Sequence, residues 1–318
     1  MPFSYPATQI VNQVDDYHGT PIPDPYRWLE DVDTPDTLEW IRLQNELTFG
    51  FLEQIPARQR LRQRLTALWD FPKAQAPVKR GGRYFQFRNS GLQNQDVLFV
   101  QEALDAGLRP LLDPHTLSED VTVALNSWEA SPDGKWLAYA TSASGSDWQI
   151  WHIRNVDTGD DLPDSIVWSK FSGAAWLPDA SGFFYSRYDA PQAGEEYQGA
   201  NYFQKLYLHK LGTPQESDVL VYERPDQKEW GFGAQVTEDG RYLIINVWQG
   251  TDVRNRVFYQ ELGQGAVVEL LAELEAAYHF IGNEGAVFYF RTDLGAPRGR
   301  LIAIDTANPA HDQWRTLI

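Results

Sequence analysis

The sequence predicts a mainly β chain, a β-propeller preceded by an α-helical segment. Three observations carry that expectation. A short hairpin with a glycine turn recurs at Gly82, Gly134, Gly182, Gly240 and Gly285, at roughly the 50-residue period of propeller blades. Each turn leads into a mainly apolar run, such as Trp136-Leu137-Ala138-Tyr139-Ala140 or Val287-Phe288-Tyr289-Phe290, as in strands buried on both faces. Residues before about 72 show helical periodicity instead.

The helical segment comes first. Thr34-Pro35-Asp36-Thr37 opens a helix with a capping side chain, proline in the first turn and an acid at the positive end of the dipole. After Pro56, the residues Leu61, Leu65, Leu68 and Trp69 form a second helical stripe that Phe71-Pro72 ends. Neither stripe has an evident partner. The predicted boundaries are therefore a helical segment over 1–72 and a propeller portion over 73–318.

Within each repeat a second apolar run follows the first: Val97–Val100, Ile150–Ile153, Leu206–Leu208, Val257–Tyr259 and Leu301–Ile304. Shorter outer strands come next, at Val219–Tyr222 and Trp314–Ile318. Three or four short antiparallel strands per repeat suit a propeller better than a generic sandwich. The loop from Arg187 to Phe203 is long and polar, and loops of that length are usually functional or disordered.

Composition narrows the function classes. The 318 residues carry a formal charge of −17, which argues against nucleic acid and anionic membranes, since both demand basic patches. With no cysteine, disulfides and thiolate chemistry are excluded. The first residues lack the basic and apolar regions of a signal peptide, and a cytoplasmic protein is expected.

No Gly-x-Ser-x-Gly elbow is present. Ser146 and Ser172 read as turn serines, and the expected catalytic set is empty. The six histidines lack ligand spacing, so neither a metal nor a cofactor is expected. His152 and His209 occupy comparable second runs, where a place on a strand surface is expected. Gly231-Phe232-Gly233 reads as a turn, and Asp133, Asp179 and Asp239 as turn residues. A five-bladed glycoside hydrolase and a non-enzymatic binding propeller stay open as alternatives.

Several segments, in order, resemble the prolyl oligopeptidase family of serine peptidases. They are Tyr17-His18-Gly19, Asp24-Pro25-Tyr26-Arg27-Trp28-Leu29-Glu30-Asp31, Ser90 to Gln95, Ser142 to Trp148, Lys170-Phe171-Ser172, Gln204-Lys205-Leu206-Tyr207 and Asp239-Gly240-Arg241-Tyr242. The resemblance spans essentially the whole chain. It implies an incomplete propeller of about five blades out of seven, and a helical segment that packs on an α/β-hydrolase domain in cis. That domain, with its Ser, Asp and His, lies outside these residues, so the 318-residue chain is expected to be inactive alone. The implied reaction is cleavage of proline-containing oligopeptides after proline, with the propeller excluding folded proteins.

The resemblance also implies site residues. Phe171 matches an aromatic that faces the bound peptide, with a place in the blade core as its alternative. Trp248 and Thr251 stand where other members present an Arg and a small residue toward substrate. Asp147 matches an acid at the domain interface, with a turn cap as its alternative. The Arg187–Phe203 loop matches one that helps gate access.

Overall fold

The computed structural model describes residues 4–192 and 199–318, and its contacts divide the chain into Met1–Phe71 and Pro72–Ile318. Gly194, Glu195 and Glu196 of the long loop lie outside the described residues.

The N-terminal unit holds a hairpin of β1 (Val14–Tyr17) and β2 (Thr20–Pro23), a 3-10 turn over Arg27–Glu30, α1 (Pro35–Glu53) and α2 (Arg58–Trp69). The Thr34 side chain accepts the Thr37 N–H at 3.3 Å, as the capping pattern predicts. The hairpin was not legible: two four-residue strands without buried apolar residues leave no alternating pattern. The acidic–aromatic motif around Arg27 is structural here. Its guanidinium bridges Asp15 and Asp24, Trp28 Nε1 donates to the Gln9 carbonyl at 3.0 Å, and Thr37 Oγ1 donates to the Trp28 carbonyl at 3.2 Å. The helical stripes lie open: Leu38, Phe49, Leu61, Leu65, Leu68 and Trp69 are each at least half exposed.

Among the described residues, the second unit is five antiparallel sheets in chain order. The first joins β3 (Lys73–Ala74) and β4 (Val78–Arg80), which both pair with β5 (Arg83–Asn89), to β6 (Val97–Gln101) and β7 (Arg109–Leu112). The second holds β8 (Val123–Ala130), β9 (Trp136–Ala143), β10 (Gln149–Asn155) and β11 (Asp161–Ser169). The third runs through β12 (Ala175–Trp176), β13 (Gly182–Arg187), β14 (Lys205–Lys210) and β15 (Val219–Tyr222). The fourth comprises β16 (Trp230–Val236), β17 (Tyr242–Gln249), β18 (Arg256–Glu261) and β19 (Val268–Leu271). The last is β20 (Tyr278–Glu284), β21 (Val287–Thr292), β22 (Arg300–Asp305) and β23 (Arg315–Thr316).

The glycine turn joins the first strand of each blade to the second. The first strand of each blade precedes its turn, and sequence reading passed it over. β8 and β20 mix polar and half-exposed positions, and β12 has only two residues. Gly231-Phe232-Gly233 is likewise not a turn: it lies inside β16, where Gly231 pairs with Trp248.

The third turn also has a different register from the one its glycine suggests. Asp133, Asp179 and Asp239 accept the N–H two residues ahead, from Lys135, Ser181 and Arg241, at 3.1, 3.0 and 3.1 Å. The left-handed position after each is Gly134, Ala180 and Gly240. Gly182 therefore matches Trp136 and Tyr242 as an opening strand residue. Its lack of a side chain has another cause: a Cβ there would meet the His209 carbonyl oxygen at 2.2 Å.

Among the described residues four apolar clusters form the core, one at each seam between successive blades. Trp151, Phe183 and Tyr185 fill the seam between the second and third; Tyr242, Phe288 and Phe290 fill that between the fourth and fifth. Polar groups lie inside as well. His209 is fully buried rather than on a strand surface, and it bridges Asp218 (Nδ1, 2.7 Å) and Asp164 (Nε2, 3.1 Å). The Tyr185 hydroxyl also donates to Asp218, at 2.7 Å.

Candidate functional site

Blades built as meanders have two ends. The glycine turns lie at one end. The loops from second to third strand, and the links from one blade to the next, lie at the other. Asp147, Phe171, Trp248 and Thr251 all sit at that second end.

Phe171 follows β11 with φ 55°, a left-handed backbone that is a genuine outlier for a bulky residue. Buried hydrogen bonds hold it there. The Gln204 amide donates to the Lys170 carbonyl at 2.9 Å and accepts the Phe232 N–H at 2.6 Å. On the other side, Ser172 Oγ accepts the Ser186 N–H at 2.8 Å. With both neighbours pinned, the Phe171 ring is turned outward and is 48% exposed. The blade-core alternative fails.

Trp248 continues the same aromatic surface. Its ring meets that of Phe171 edge to face, with centroids 6.1 Å apart and planes at 87°. Behind it, Gly231 leaves room for the indole, because a Cβ there would come within 2.0 Å of the ring. Gly231→Ala is expected to swing the Trp248 ring off this surface. An indole N–H resonance assigned through Trp248→Phe should move, while Gly233→Ala, whose Cβ would meet only Asn246 at 3.8 Å, should leave it in place.

Phe171, Trp248 and Thr251 thus line one cleft of about 580 Å³, joined by Asn201, Tyr202 and Glu229. This is an ordinary size for a ligand pocket. Asp147 does not line it. It stands exposed near Lys170, whose amine bonds Asn201 Oδ1 at 3.0 Å and lies 3.8 Å from the centre of the Trp148 ring. Burial lowers the Lys170 pKa, and the Asp147 charge partly offsets that.

Sequence reading missed Tyr202, Glu229, Gln204 and Gly231 as site residues. Gln204 stood in a recognised motif, but its burial was invisible. Glu229 carried no local signal at all. Ser146 and Ser172 behave as turn and backbone partners: Ser146 Oγ accepts the Trp148 N–H at 3.0 Å, and neither hydroxyl bonds a histidine among the described residues. Every strand pair among the described residues is antiparallel.

Comparison with known proteins matches residues 5–318 to the family described as "Prolyl oligopeptidase, N-terminal beta-propeller domain". The chain is 35% identical over 316 residues to a prolyl endopeptidase of Elizabethkingia meningoseptica, covering 99% of this chain and 44% of the relative. It is 32% identical to prolyl oligopeptidase A of Amanita bisporigera, covering 97% and 45%. Prolyl oligopeptidase B from Galerina marginata, solved with a 35mer hydrolysis and macrocyclization substrate, superposes with a TM-score of 0.86 at 30% identity, covering 100% and 48%. The chain spans about half the length of the curated relatives it matches.

Proposed function

This chain belongs to the prolyl oligopeptidase family, as its N-terminal β-propeller domain, and from that premise we propose that it is the substrate-restricting part of a serine endopeptidase that cuts short peptides after proline. The observation that carries the reading is the convergence of Phe171, Trp248 and Thr251 on one cleft at the end of the blades away from the glycine turns. An outward aromatic held in a strained backbone serves little purpose in packing. Strain of that kind gathers at sites that bind.

The remaining pieces fit the same arrangement. The open stripes of α1 and α2, with Leu61, Leu65 and Trp69 exposed, suit a hydrolase domain in cis as their cover. Asp147 belongs to the surface facing that domain. The hydrolase part would supply the nucleophile, the base and the oxyanion donors. The propeller narrows the way in and contributes one wall of the peptide pocket. A cytoplasmic site of action completes the proposal.

Residues 1–318, purified free of other peptidases, are expected to leave a fluorogenic Gly-Pro substrate uncut. Joined to the hydrolase part of a relative, they should restore cleavage of a proline-containing octapeptide but not of a folded protein. Turnover by residues 1–318 alone, or a fusion that cuts with no preference for proline, would overturn the reading.

A further inference from the structure

The cleft is acidic as well as aromatic. Glu229 lines it together with the rings of Phe171, Tyr202 and Trp248, and no Lys or Arg lines it among the described residues. Glu229 is exposed, is hydrogen-bonded by Gln249 Nε2 at 3.3 Å, and takes part in no ion pair among the described residues.

Two cations border the cleft, each engaged by a residue that lines it. Lys170 sits on the Trp148 ring and bonds Asn201, with Asp147 close by. Lys228 lies over the Tyr202 ring, its amine 4.5 Å from the centroid. The Lys228 pairing shows that a ring bordering the cleft already attracts a cation. Among the described residues no cation lies over Phe171 or Trp248, and Glu229 has no counter-ion. A ring quadrupole and a carboxylate both favour positive charge, and neither rewards a negative one.

We infer that this cleft recognises a cationic group, a lysine or arginine side chain or an amino terminus carried by the bound peptide. The inference rests on the reading that the cleft faces a peptide, and it adds which peptides are preferred. The aliphatic stem of an arginine would lie along the Phe171 and Trp248 rings, leaving its guanidinium beside Glu229. A volume of about 580 Å³ accommodates that side chain with water to spare. The long-range part of the preference should weaken with salt, because Glu229 is exposed.

Calorimetric titration of residues 1–318 tests this with three proline-containing tetrapeptide amides. They carry arginine, its neutral isostere citrulline, or glutamate, moved in turn through the positions before proline. At one position arginine is expected to bind about 5-fold tighter than citrulline, in line with exposed cation–π and ion-pair strengths, and glutamate weaker than both. Glu229→Gln should bring arginine and citrulline within about 2-fold of each other. Glu229→Lys should reverse the order of arginine and glutamate. Circular dichroism and melting should match the unaltered chain, since Glu229 is exposed.

Equal binding of arginine and citrulline at every position, no change on Glu229→Gln, or no measurable binding of the arginine probe would overturn the inference. The peptidase reading is tested apart, by the fused enzyme. A fusion that cuts after proline while ignoring charge removes only the cationic preference. A fusion that does not cut, beside a chain that still prefers arginine, removes only the peptidase.

Discussion

His209→Leu is expected to lower the stability of the propeller portion by about 3–5 kcal/mol at pH 5.5, the usual cost of removing one partner from a buried ionic cluster. The imidazole and both carboxylates it bridges, Asp164 and Asp218, are almost wholly buried. Without the histidine two buried acids would remain, one held by the Gly212 N–H at 2.7 Å and the other by the Tyr185 hydroxyl. Burial alone would push the imidazole pKa down, but hydrogen bonds and charge from Asp218 and Asp164 outweigh it and hold the pKa above its usual value. A pKa raised by folding stabilises fully below that of the unfolded imidazole, about 6.5, and the contribution fades as pH rises through the folded value. The gap between unaltered and variant chains should therefore be wide at pH 5.5 and narrower at pH 8.5 in urea unfolding.

The second blade offers an internal control. Counted from the left-handed turn residues Gly134 and Ala180, Tyr139 and Tyr185 are equivalent, and so are Arg154 and His209 across their ladders. Arg154 Nε and the Tyr139 hydroxyl both bond Asp161, at 2.8 Å each. An arginine stays charged throughout this range. The cost of Arg154→Leu should thus be flat between pH 5.5 and 8.5. Parallel behaviour of the two variants would count against a titrating His209.

Gly182→Ala is the second large effect, with a loss of roughly 3 kcal/mol expected from forced overpacking. The added carbon would lie 2.2 Å from the His209 carbonyl oxygen and 3.2 Å from the Lys210 Cα, so β13 and β14 must part where Gly182 pairs with Lys210. The clashing atoms are backbone and have no rotamer to change. Gly173→Ala, with nothing within 4 Å of its Cβ, should change the urea midpoint little. Equal midpoints for the two variants would show that the ladder yields freely. Because Gly182 faces the strand that carries His209, the two large effects should not add when combined.

The blades were legible because the second and third strands of each repeat are apolar on both faces and follow a turn with its own chemistry. The first strands were not. β8 and β20 carry polar and half-exposed residues, so the contrast that reveals a buried strand fades there. Gly182 misled for a related reason. A glycine beside a serine looks like a turn, whereas this one answers to a neighbouring carbonyl, a contact no local window contains. Among site residues, Phe171, Trp248 and Thr251 were reached through motif resemblance and line one cleft, and Asp147, matched to a domain interface, lies outside that lining. Glu229 could not be found, since what marks it is company in space, whereas Tyr202 belongs to the Arg187–Phe203 loop that the resemblance singled out.

Each blade is drawn from one unbroken stretch of chain, and among the described residues no strand pairs with a strand of another sheet. Backbone ladders therefore end at every seam. What crosses is mostly side chains: the apolar clusters, the Arg80–Glu129 pair, and the Ser186 hydroxyl on the Phe232 carbonyl at 2.6 Å, beside a backbone bond from the Tyr188 N–H to the Trp168 carbonyl at 2.9 Å. Such an assembly has soft joints between stiff plates, and its mechanics are those of a nearest-neighbour array. Under tension a seam can part without costing a ladder bond, so the plates should be released one after another. Each would add on the order of 170 Å of extended chain, at about 3.4 Å per residue.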